Sequence, residues 1–251
     1  GTNQAVPISY YKQFDTGQAV IASRTQATSA DDYLAQAKVL IEQGNIQTEV
    51  SRIETGRELI ILANKSLILL QSAQGYRQRG VGKMWSKDYQ GALSDYNDAI
   101  EIDPQLAEAY NSRGIVKYDL KDYQGAISDY NKAIEINPQN AFAYSNRGLV
   151  KVESGDYQGA ISDYNKAIEI NPQNALAYYN RGLTKGRDLG DYQGSISDSS
   201  KAIEINPQYA SAYNNRGTAK HALGDNQGAC YDVKKAASFG YQAATQWLNS
   251  E

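Results

Sequence analysis

Between residues 141 and 174, apolar and small side chains fall three or four positions apart in two runs. Tyr144 and Gly148 belong to the first run; Tyr157, Ile161, Tyr164 and Ile168 make the second. That spacing lines one face of an α-helix. It predicts a helix from about Ala141 to Glu153 and another from about Gln158 to Ile170, with Gly155 and Asp156 in the turn between them. The second helix stops before Pro172, because the residue preceding a proline avoids the helical region. Gly148, Ala160 and Ala167 are small enough to let the two helices approach closely, and the tyrosines and isoleucines supply the bulk.

The same pattern recurs. DYQGA begins at Asp88, Asp122 and Asp156, returns as DYQGS at Asp191 and as DNQGA at Asp225, at spacings of 34, 34, 35 and 34 residues. AIEINP or AIEIDP ends at Pro104, Pro138, Pro172 and Pro207, and NRG or a near variant places Arg79, Arg113, Arg147, Arg181 and Arg216. Self-similarity at this period marks a repeat array. The units are 73–106, 107–140, 141–174, 175–209 and 210–243, the last without its proline. The fourth carries one extra residue between Lys185 and Gly190, near the end of its first helix.

The period, the small-residue pattern and the terminal proline resemble the tetratricopeptide repeat family, over about 170 residues. The resemblance implies an all-α fold, a right-handed α-solenoid of stacked antiparallel helix pairs. The first helix of each pair would line a concave groove that usually binds peptides or protein segments. Repeats of this subtype are frequent in bacterial, notably cyanobacterial, proteins.

Two positions depart from the family pattern. Where leucine is usual stand Arg79, Arg113, Arg147, Arg181 and Arg216; where a large aromatic is usual stand Lys83, Lys117, Lys151, Lys185 and Lys220. The second helices carry Asp95, Asp129, Asp163, Asp198 and Asp232 in register with them. Arginine and lysine four apart share a helix face. Five matched sets predict a charge ladder inside the scaffold, each arginine meeting an aspartate across its own pair or at the next repeat.

With the charges assigned to the scaffold, the resemblance places a neutral groove. One row is Gln78, Ser112, Asn146, Asn180 and Asn215; beside it run Arg77, Asn111, Ser145, Tyr179 and Asn214. The floor is Val81, Ile115, Leu149, Leu183 and Thr218, with Phe142 and Leu176 near the helix starts and Met84, Tyr118, Val152 and His221 near the ends. The residues expected to contact a bound segment are Arg77, Asn111, Ile115, Tyr118, Phe142, Asn146, Leu149, Tyr179, Asn180, Leu183, Asn214, Asn215 and His221. An asparagine offers two donors and an acceptor, so a row of them can pair with the N–H and C=O of an extended backbone without reading its sequence. The alternative is that these amides only solvate an exposed surface. A tetratricopeptide subclass that clamps acidic C-terminal tails is disfavoured: Arg77 fits it, but Val81, Ser112 and Phe142 stand where polar or basic partners are needed.

The flanks differ. Residues 1–29 read as a polar tail without sustained periodicity. Residues 30–72 read as a degenerate helix pair that caps the front of the array, and 241–251 as a capping helix that overlaps the last repeat and packs Trp247 and Leu248 on it. The aliphatic stretch Leu59–Leu70 is either buried under the tail or first repeat, or is a self-association surface.

Composition narrows the remaining classes. A net charge of −3 gives no electrostatic reason to expect nucleic acid. One cysteine and one histidine exclude an internal disulfide and a cysteine- or histidine-rich metal site. No apolar run approaches a membrane span, which takes about 18 residues. Twenty tyrosines are abundant, and two or three per unit are expected to pack the repeats. His221 and Cys230 lie in different helices of one repeat; Cys230, beside Ala229, reads as a small buried hydrophobe. The expectation is therefore a non-enzymatic, cofactor-free module that holds a protein or peptide partner, or an adaptor that self-associates as a homo-oligomer or docks through its N-terminal pair or convex face. The chain begins at Gly1, so a removed signal is open; a soluble protein, cytoplasmic by default, is expected.

Overall fold

A computed structural model describes residues 60–61, 64 and 72–244. The tail 1–29, most of the degenerate pair 30–72 and the end of the capping helix, with Leu67, Leu69, Trp247 and Leu248, lie outside the described residues. The chain divides into two compact units after Pro138.

In the first unit, α1 (Ala73–Trp85) pairs with α2 (Tyr89–Ile102), and α3 (Ala107–Asp119) pairs with α4 (Tyr123–Ile136). In the second, α5 (Ala141–Glu153) pairs with α6 (Tyr157–Ile170), α7 (Ala175–Leu183) with α8 (Tyr192–Ile205), and α9 (Ala210–Ala222) with α10 (Asn226–Ser238). Each unit stacks its pairs: α2 packs on α3, α6 on α7 and α8 on α9. This is the all-α solenoid architecture read from the sequence, with no strand among the described residues.

The repeated phrases each perform a local task. The aspartate of DYQG caps the second helix: Asp156 Oδ1 accepts the Gly159 N–H at 2.9 Å, and Asp88, Asp122, Asp191 and Asp225 do the same for Gly91, Gly125, Gly194 and Gly228. The glycine is required because the capping carboxylate folds over it; a Cβ at Gly159 would lie 2.0 Å from Asp156 Oδ2. A second close approach joins the helices of a pair. Tyr96, Tyr130 and Tyr164 are fully buried, and a Cβ on the facing Gly80, Gly114 or Gly148 would come within 2.6–2.9 Å of the ring. Alanines complete the seam, among them Ala160, Ala167 and Ala177, all fully buried.

The extra residue of the fourth repeat becomes a π-helical turn, Thr184–Asp188, continuing α7. The Leu189 N–H reaches back five residues to the Thr184 carbonyl. Such a turn absorbs one inserted residue without breaking the helix. The next second helix therefore starts in register: Asp191 N–H bonds the Lys185 carbonyl at 2.8 Å, as Asp156 bonds Lys151 at 2.9 Å.

Candidate functional site

The first helices carry both the charged ladder and the proposed groove, so the ladder decides which groups remain available. In every described repeat the aspartate of the second helix sits beneath the arginine and lysine of its own first helix. Arg147 grips Asp163 with two bonds, Nε to Oδ2 at 2.9 Å and Nη2 to Oδ1 at 2.5 Å, and Lys151 Nζ lies 2.9 Å from Oδ2. Arg79–Lys83–Asp95, Arg113–Lys117–Asp129, Arg181–Lys185–Asp198 and Arg216–Lys220–Asp232 repeat this geometry. The carboxylates are buried, with side chains at most 5 % exposed. The forked guanidinium matches the two oxygens of a carboxylate, which is why arginine holds this place.

Each arginine does more than neutralise its aspartate. Within a unit, Nη1 also reaches the second helix of the preceding pair: Arg113 to Asn97 at 2.7 Å, Arg181 to Asn165 at 2.6 Å and Arg216 to Ser200 at 3.1 Å. Arg79 makes the same bond to Asn64 at 3.0 Å. The guanidinium also lies over a tyrosine one turn earlier, Arg147 at 5.5 Å from the Tyr144 ring centre. The hydrogen bond to aspartate raises the pKa of Arg79, Arg147 and Arg216 above the ordinary arginine value, against the opposing effect of burial. Of the two alternatives left by the sequence, the aspartate met is that of the arginine's own pair, and the neighbouring repeat supplies an asparagine or serine instead.

The groove residues fall into two classes. In the first unit, Arg77 is half-buried and its Nε donates to Gln74 Oε1 at 3.1 Å. Asn111 and Tyr118 are half-buried, Tyr118 with its ring 5.6 Å from that of Tyr123, and Ile115 is buried. In the second unit, Leu149, Asn180, Leu183 and Asn214 are half-buried, while Phe142 and His221 are exposed. Asn146 and Asn215, by contrast, are buried, at 3 % and 8 % exposure. Asn215 points its amide into the preceding repeat, donating to Ser199 Oγ at 2.8 Å and Ser195 Oγ at 3.2 Å. Gln78 and Ser112, in the same row, are buried as well.

Tyr179 is also buried, its ring 5.1 Å from that of Tyr209. Burial pushes the Tyr179 phenol up to about 12, with Tyr241 adding to the rise. Burial raises Tyr209 too, helped by Tyr179. The repeat pattern alone does not point to this serine pair, although the sequence carries a signal for it. Ser195 and Ser199 stand where the third repeat has Ala160 and Tyr164, so the buried tyrosine is replaced by a polar pocket that Asn215 fills.

His221 donates from Nδ1 to Asn226 Oδ1, 2.8 Å away, and no hydrogen bond joins it to Cys230 among the described residues. Cys230 is half-buried rather than buried. Among the described residues no cluster of His, Cys, Asp and Glu could hold a metal ion, and no helix is long and apolar enough to cross a membrane.

Comparison with known proteins follows the repeats. A model of the TPR repeat matches residues 86–121, 148–188 and 186–224. Two models of the tetratricopeptide repeat match 107–140 and 129–162. Together these span 86–224, more than half of the 251 residues. Among solved structures, MamA is 28 % identical over 66 % of this chain and 96 % of its own, with a TM-score of 0.58. YrrB, described as a TPR protein with an unusual peptide-binding site, is 20 % identical over 75 % of this chain and 98 % of its own, with a TM-score of 0.57. The pilF protein of Pseudomonas aeruginosa is 16 % identical over 88 % of this chain and 96 % of its own, with a TM-score of 0.71. The last two are likenesses of fold. No curated protein matches the chain.

Proposed function

Because this chain belongs to the tetratricopeptide repeat family, we propose that it is a non-catalytic protein-interaction module whose first helices hold an extended, largely uncharged segment of another protein. The observation that carries this reading is the engagement of the repeated charges. Each ladder arginine and lysine faces a buried aspartate of its own pair. In the second unit the groove positions left accessible are the amides Asn180 and Asn214, the aliphatics Leu149 and Leu183, and Phe142 and His221. Amides beside aliphatic pockets suit a segment bound through its backbone, with apolar side chains in the pockets. YrrB, which shares the fold, offers a precedent for peptide binding on it.

The test is capture of a partner from the source cell by the full chain, followed by titration of the captured protein. Asn180→Ala/Asn214→Ala and, separately, Leu183→Glu should each lower recovery and weaken the titrated affinity at least tenfold, with helicity unchanged. Full affinity in both variants would move the contact away from these helices. Asn146 and Asn215 are unsuitable for this purpose, because both are buried and their replacement would disturb the scaffold.

A further inference from the structure

The exposed faces of the second helices follow a rule that breaks at both ends of the described array. In α4, α6 and α8 a lysine and a glutamate three residues on form an exposed pair: Lys132–Glu135 and Lys166–Glu169 at 2.8 Å, Lys201–Glu204 at 2.7 Å. Each of these faces is electrically neutral. In α2 the lysine is replaced by Asp98, which shares its face with Glu101. Beside them Ile102 is 48 % exposed, whereas Ile136, Ile170 and Ile205 in the same place are half-buried.

The opposite change occurs in α10. Lys235 keeps the lysine position, but Ser238 replaces the glutamate, and Lys234 replaces the asparagine or serine of Asn97, Asn131, Asn165 and Ser200. Tyr231 replaces the serine of Ser94, Ser128, Ser162 and Ser197 and is 57 % exposed, with Lys235 Nζ 5.9 Å from its ring centre. One end therefore presents two acids and an exposed aliphatic group, the other two bases and an exposed aromatic ring. Both sets are spaced i, i+3, i+4, so each occupies a single helix face. Like charges three apart, as in Asp98 and Glu101, disfavour an isolated helix. Polar capping of an array would account for the charges, but not for an isoleucine and a tyrosine left open to water among them.

We propose that these faces bind one another between copies of the chain, α10 of one molecule against α2 of a second, with Lys234 and Lys235 opposite Asp98 and Glu101 and Tyr231 against Ile102. The partner is a second copy because both complementary halves are on this chain, while the second helices between them are neutral. The two faces lie on different helices, so a reciprocal pair of these contacts closes a dimer and a head-to-tail series builds a ring or an open chain. Each contact is small and charge-dominated, hence weak and sensitive to salt. It is independent of the groove, since it uses second helices only.

Sedimentation velocity of the full chain over a wide range of concentration, at about 0.05 and about 0.5 M salt, tests this. The parent should associate with rising concentration, at least tenfold more weakly in high salt. Asp98→Lys, which restores the Lys–Glu pattern of α4, α6 and α8, should weaken association at least tenfold, as should Lys234→Glu/Lys235→Glu. Mixing Asp98→Lys/Glu101→Lys with Lys234→Glu/Lys235→Glu should restore association that neither variant has alone. Circular dichroism confirms that each variant is folded. A parent that stays monomeric throughout, association unaffected by the reversals, or a mixture no better than its components would each overturn the proposal. Asn180→Ala/Asn214→Ala should associate as the parent does, which separates this contact from the groove.

Discussion

Replacing Arg147 with alanine tests the central structural claim, that the repeated charges hold the helix pairs together. The substitution removes two charge-assisted hydrogen bonds to Asp163, at 2.9 and 2.5 Å, and the stacking of the guanidinium on Tyr144 at 5.5 Å. It leaves a carboxylate whose side chain is only 5 % exposed. Breaking one side of a buried ion pair costs about 3–5 kcal/mol when the remaining charge has no partner. Here Lys151 stays 2.9 Å from Asp163, and the space vacated by a side chain that was 19 % exposed lets water approach. The expected loss is therefore at the low end, about 3 kcal/mol. Adding Lys151→Ala removes the second cation, so the double variant should lose more than the sum of the two single losses, with a coupling of at least about 1 kcal/mol. Urea titration followed by far-ultraviolet circular dichroism measures this. The curves should be fitted with repeat-by-repeat unfolding, since repeat arrays need not be two-state. If Arg147→Ala unfolds within about 0.5 kcal/mol of the parent, the ladder does not stabilise the pairs and the reasoning fails.

Other predictions follow from the same packing. Gly148→Ala would gain helix propensity but place a Cβ 2.9 Å from the Tyr164 ring, so it should destabilise by about 1–3 kcal/mol in the same titration. Asn215→Ala would strand Ser195 and Ser199 in a buried pocket and should cost about 1–3 kcal/mol, whereas the half-buried Asn214→Ala should change stability little. The phenol of Tyr179, raised by burial to about 12, stays neutral in the folded chain where an unfolded tyrosine has begun to ionise. A raised folded pKa means stability is fully present below about pH 10 and declines by about 1.4 kcal/mol per pH unit up to about pH 12. Urea midpoints measured from pH 9 to 12 should fall at least that steeply, since burial raises Tyr209 as well, and Tyr179→Phe should make the fall shallower.

The sequence by itself determined the architecture, because a periodic chain states its local rules several times over. Proline after the first four second helices, aspartate and glycine at each second-helix start, and glycine opposite tyrosine in the first three pairs are local requirements, and all are visible as repeated letters. The arginine–aspartate match was legible for the same reason: residues that recur together at a fixed offset occupy equivalent places in every pair. What the tertiary structure decided is where side chains go once neighbouring repeats stack. Asn146 and Asn180 occupy the same position in successive repeats, yet the first is buried and the second half-buried. Asn215 turns into the preceding repeat because Ser195 and Ser199 leave a polar space there in place of a tyrosine ring. The inserted residue of the fourth repeat was countable in the sequence, but its accommodation as a π turn, keeping Lys185 2.9 Å from Asp198, depends on the ion pair it preserves. Helix periodicity fixes which side of a helix a residue occupies; only the neighbouring repeat fixes whether that side meets water or another side chain.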